Sequence, residues 1–89
     1  MTEYEFIQEV KRNLRAARKD AGMTMTDVYK STNLSYPTIN KAFKRGDRTN
    51  VTLLTLKELC DAMNVSMKSV LDTPALNEQI NISNARTSR

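Results

Sequence analysis

The sequence predicts an all-α protein of five short helices, and three observations carry that reading. From Ile7 to Leu71, apolar residues recur at three- and four-residue steps, the repeat of an amphipathic helix. Helix starts coincide with Thr or Ser residues whose hydroxyls can cap a first turn. The two glycines and two prolines all fall where the apolar repeat breaks. No alternating strand pattern precedes Ile80, and there is no internal repeat.

The first helix is expected from about Tyr4 to Ala21, with Ile7, Val10, Leu14, Ala17 and Ala21 as its stripe. Gly22 follows as a residue able to turn left-handed beyond the helix end. Thr24 opens the second helix, where Thr24-Met25-Thr26-Asp27 reads as a capping box with Asp in place of Glu. Val28 and Tyr29 start its inward face. Asn33 closes it, because Asn tolerates the left-handed region that a tight turn over Asn33-Leu34-Ser35 would use. Ser35 caps the third helix, Tyr36 to about Lys44, with Pro37 in the first turn where its missing N–H costs nothing.

Ile39, Ala42 and Phe43 point inward from that helix, and Gly46 ends it. The polar loop Asp47-Arg48-Thr49-Asn50 leads to Thr52, the cap of a fourth helix whose stripe is Leu53, Leu56, Leu59, Cys60 and Met63. Asn64-Val65 turns the chain, and Ser66 caps a short fifth helix carrying Val70 and Leu71. Pro74 marks its end. Residues 1–73 therefore read as one domain, and 74–89, rich in Asn and Ser, as a flexible tail or dimerisation arm. Leu76, Ile80 and Ile82 need a cover there, and Ile80-Asn81-Ile82 alternates like a strand able to pair across a two-fold axis.

Bulk composition excludes more than it assigns. At 89 residues the chain holds one domain, with 39% hydrophobic and 27% charged residues, as in a soluble globule. No apolar run is long enough to span a bilayer, and the acidic start Met1-Thr2-Glu3-Tyr4-Glu5 is unlike a secretory signal, so a cytoplasmic protein is expected. One cysteine and no histidine leave no internal disulfide and almost no ligands for zinc or haem. Ser-His and Cys-His catalysis are excluded on the same count. We therefore expect no enzyme, no cofactor and no small-molecule ligand. The net charge of +4 points towards polyanions.

The second helix, the turn at Asn33 and the third helix form a unit whose last helix can protrude from the body. The outer face of that helix carries Tyr36, Pro37, Asn40, Lys41, Lys44 and Arg45, and no acid. Amides and cations suit major-groove base edges, where a carboxylate would be repelled by phosphate. From Arg15 to Leu71 the sequence resembles the Cro/CI-type (XRE family) helix-turn-helix domain of phage, plasmid and bacterial repressors. The resemblance lies in Gly22-Met23-Thr24, Val28, Leu34-Ser35, Thr38-Ile39 and Gly46, and continues through Leu53, Leu56, Leu59, Ala62, Met63, Val65 and Ser66.

That resemblance implies a compact lambda-repressor-like fold and a division of labour on double-stranded DNA. Base reading falls to Tyr36, Pro37, Asn40 and Lys41. Backbone contacts fall to Thr24 and Met25 at the second helix, and to Thr38, Lys44, Arg45, Arg48, Thr49 and Asn50 around the third. Three residues depart from the family pattern: Tyr29 for a small Ala, Asn33 for Gly, and Phe43 for a Glu that pairs with an Arg matched here by Arg18. Without that Glu, Arg18 is free to meet phosphate. The remaining basic run of the first helix, with Lys11, Arg12 and Arg15, reads as a solvated face, while Lys19 lies near the motif. Cys60 reads as a small core residue.

The expected function is a transcriptional repressor, a homodimer on a pseudo-palindromic operator, in a bacterial cell or phage-infected host. A second reading keeps the same domain as an antitoxin or protein-interaction partner, with Leu76, Ile80 and Ile82 capping the partner. A third is a helical adaptor that does not bind DNA and whose basic face serves solubility.

Overall fold

The computed structural model describes residues 2–74. Five helices run in order: α1 (Glu3–Asp20), α2 (Met25–Lys30), α3 (Tyr36–Phe43), α4 (Leu53–Met63) and α5 (Met67–Leu71). Each starts on a hydroxyl cap: Thr2, Thr24, Ser35, Thr52 and Ser66 accept the N–H three residues on. At α2 the capping box is complete, since Asp27 accepts from Thr24 N–H while the Thr24 hydroxyl accepts from Asp27 N–H. Beyond α1, Gly22 turns at φ +67, where a side chain would be strained.

The core is one cluster drawn from all five helices: Val10 and Leu14; Val28; Ile39, Ala42 and Phe43; Leu56, Leu59, Cys60 and Met63; and Val70. Helix α1 packs on α3 and α5, and α2 packs on α3 and α4. Helix α3 is thus held from two sides while its remaining face looks outward. Hydrophobic burial supplies the hold, because helices of this length do not persist alone in water.

Five sequence expectations give way here. Asn33 is not left-handed, since among the described non-glycine residues only Asn64 has positive φ. Helix α2 instead stops at Lys30, where Ser31 Oγ donates to Asp27 O at 2.9 Å and Thr32 Oγ1 accepts from Leu34 N–H at 3.3 Å. Such side-chain bonds offer the backbone an alternative to another turn of helix. Leu53 is 73% exposed, because a side chain in the first turn leans back past the helix start and misses the core. Thr55 is buried in that turn, its Oγ1 accepting from the Thr52 hydroxyl at 3.0 Å. Tyr29 and Ala21 are exposed where inward positions were expected.

The fifth is Lys11, which lies not on a solvated face but fully buried. Its ammonium donates to Asp47 O at 2.9 Å and to Asp47 Oδ1 at 3.1 Å. One turn earlier, Gln8 Nε2 donates to Asp47 O at 2.7 Å and Gln8 Oε1 accepts from Gly46 N–H at 2.9 Å. Two residues of α1 therefore latch the chain as it leaves α3. Leu76, Ile80 and Ile82 lie outside the described residues.

Removing Leu14, which is fully buried, opens a cavity among α1 neighbours. Leu14→Ala should cost about 3 kcal/mol in urea unfolding. At the latch, Asp47→Ala should lower the thermal midpoint more than Lys11→Met, since it leaves a buried ammonium without its carboxylate. Hydrogen bonds from Thr49 and then Lys11 hold the Asp47 carboxyl well below its usual range. Its stabilising effect is therefore complete above about pH 4 and is lost as pH falls further, a loss absent in Asp47→Ala.

Candidate nucleic-acid interface

Helix α3 presents its outer face because its inner face is fixed. Ser35 Oγ accepts from Thr38 N–H at 3.3 Å and lies 2.7 Å from Thr38 Oγ1, which sets the helix start. Pro37 occupies the first turn, and Ile39, Ala42 and Phe43 are buried. Tyr36, Pro37, Asn40 and Lys41 are all exposed on the other side, and the first turn carries no acid. The four residues expected to read bases thus share one solvent-facing surface on a well-anchored helix.

The residues expected at the DNA backbone fall into separate groups. Thr38, Lys41, Thr49 and Asn50 line one cleft between α3 and the segment leading to α4. The half-buried Thr38 spends its hydroxyl on the cap. Thr49 is placed by its N–H donating to Asp47 Oδ1 at 2.7 Å, so the latch also shapes this cleft. Lys44 caps α3 in an extended conformation and is exposed with Arg45. Arg48 lies over the Tyr4 ring at 4.6 Å from its centroid, at the start of α1 and not in the cleft.

At α2 the capping box takes the Thr24 N–H and sets a carboxylate beside the first turn. Hydrogen bonds from Thr24 hold the Asp27 carboxyl below its usual range, so it is charged at neutral pH. The Met25 N–H, one of the first-turn donors, has no acceptor within the helix. Its side chain is half-buried against the core. Arg18 is half-buried with its Nη1 donating to Met23 O at 3.1 Å and its guanidinium 5.4 Å from the Phe43 ring centroid. Where an acid would pair with this arginine, the aromatic face holds it by cation–π attraction.

The Tyr29 phenol turns outward and meets Tyr36 edge-on, with ring centroids 5.8 Å apart and planes at 67°. A bulky residue facing α3 therefore supports a reading-face side chain instead of forcing the helices apart. Sequence reasoning flagged Tyr29 as a departure but not as a support. It also missed Gln8, and it set on a solvated face Arg15, which is half-buried with its Nη1 donating to Phe43 O at 3.2 Å. Both lie three or four residues from Lys11, and since that lysine reads as solvated, nothing in the spacing sets them apart from an exposed helix face.

The family model for the Cro/C1-type helix-turn-helix DNA-binding domain matches residues 13–75. The chain belongs to this family, and it is a DNA-binding regulator. No curated protein and no solved structure matched it. Among the described residues, no helix is long and apolar enough to cross a membrane, and no group of three His, Cys, Asp or Glu could hold a metal ion.

Tyr29→Ala should release Tyr36 and change its ring resonances in solution spectra, while Tyr29→Phe leaves them in place. The stability cost of the alanine variant should stay below about 1.5 kcal/mol, the upper value of such a ring pair, since both rings are partly exposed.

Proposed function

We propose that the protein is a sequence-specific transcriptional repressor that places α3 in the major groove of an operator and acts as a homodimer. One observation carries the reading: Tyr36, Pro37, Asn40 and Lys41 form an exposed, acid-free face on a helix anchored by its other side. Asn40 makes a bidentate contact with adenine, and Lys41 reaches guanine O6 or N7. Tyr36 and Pro37 meet a thymine methyl or the adjoining backbone. Thr38, Thr49 and Asn50, gathered at the cleft beside Lys41, hold the neighbouring strand with Lys44, Arg45 and Arg48. The Met25 amide meets a phosphate at α2, beside Thr24, whose own N–H is given to Asp27, and with Arg18 close by through its bond to Met23 O.

Support for a second copy comes from Leu53 and Leu54, 73% and 67% exposed at the start of α4. Two adjacent exposed leucines next to the DNA-facing loop suit a contact across an operator two-fold, with half-sites one helical turn apart. Repression then follows from occlusion of promoter DNA.

Selection from a random duplex pool should yield a site bound far better than bulk DNA. Asn40→Ala should cost about 1–3 kcal/mol on that site and much less on random duplex. Arg45→Ala should weaken binding on all sequences alike and flatten the salt dependence by about one unit of slope. A pool that yields no preferred site would falsify the repressor reading.

A further inference from the structure

Five cations line one open concavity on α1: Arg12, Arg15, Arg18 and Lys19 from the helix, and Arg45 from beyond α3. Ala16, Gly22 and Met23 complete the lining, which contains no carboxylate. The Lys11–Asp47 and Lys57–Asp61 ion pairs involve none of these five side chains. We infer that this concavity is a second phosphate-binding surface that takes the DNA backbone flanking the base-read half-site. It rests on the DNA reading above and extends the footprint to Arg12, Arg15 and Lys19.

Placement argues for it. Gly22 and Met23 immediately precede the Thr24 cap of α2, and Arg45 immediately follows the Lys44 cap of α3. The concavity therefore adjoins both helices of the DNA-binding unit and continues its surface. Two of its guanidinium groups are fixed before any anion arrives, because Arg15 Nη1 donates to Phe43 O and Arg18 Nη1 to Met23 O. Carbonyl acceptors orient these groups without neutralising them.

Crowding argues the same way. Arg15 is held below the ordinary guanidinium range, first by loss of water and then by repulsion from Arg45 and Arg12. A surface that concentrates like charge is relieved by a polyanion bearing several phosphates in a row. Its continuity with α2 and α3 selects duplex DNA over an acidic protein as that polyanion.

Arg12 and Lys19 provide the test, because both are exposed. The full chain and its Arg12→Gln/Lys19→Gln variant would be titrated across salt against two duplexes. One carries the selected site alone, and the other extends it on both sides. On the extended duplex the variant should lose roughly 5- to 10-fold in affinity, and its salt slope should fall by about 2. On the trimmed duplex the two proteins should bind alike, with the same preferred sequence and the same thermal midpoint.

Equal binding on the extended duplex overturns the proposal, as does an equal loss on both duplexes. Discrimination between the two proteins by polyglutamate, with none by flanking DNA, also overturns it and marks an acidic-protein surface. A wild-type chain that selects a site but ignores its flanks sinks only this inference. Failure to select any site sinks the DNA reading beneath it.

Discussion

The contact between Lys11 and Asp47 decides where the chain goes after the reading helix. A fully buried ammonium must find oxygen acceptors, and both come from one residue of the loop, its carbonyl and its carboxylate. Gln8 holds the same loop from one turn away, giving to Asp47 O and taking from Gly46 N–H. Asp47 then passes the constraint on by accepting from Thr49 N–H. The positions of Thr49 and Asn50 beside Lys41 thus trace back to two side chains of α1, far away in sequence. The loop is thus held by the longest helix and not by its own residues alone.

What was legible in the sequence follows the range of the forces involved. Caps, left-handed turns and apolar stripes act within a few residues, so the starts of α2 to α5 and nearly all of the core could be read directly. The reading face was legible for the same reason, since Ile39, Ala42 and Phe43 fix which side of α3 is left over. Leu53 misled because its spacing matches the stripe while its place in the first turn carries it beyond the core edge. Asn33 misled because two hydroxyls before it end the helix by another route. Lys11 could not be read at all. Its partner lies 36 residues away, and a lysine at that spacing looks the same whether solvated or buried.

The two aromatic departures from the family pattern have a common physical consequence. Tyr29 meets Tyr36 edge-on, and Phe43 lies under Arg18 where an acid would otherwise stand. Both replace a close-packed or ion-paired contact near α3 with one that involves a ring. The edge contact of Tyr29 with Tyr36 involves no net charge, and a fully buried partner makes the Lys11–Asp47 pair less open to screening than surface charges are. The presentation of α3 is in this way insulated from the ionic conditions that govern phosphate binding. Salt then acts on the DNA contacts and not on the scaffold. A titration against salt therefore bears chiefly on the charges that face solvent.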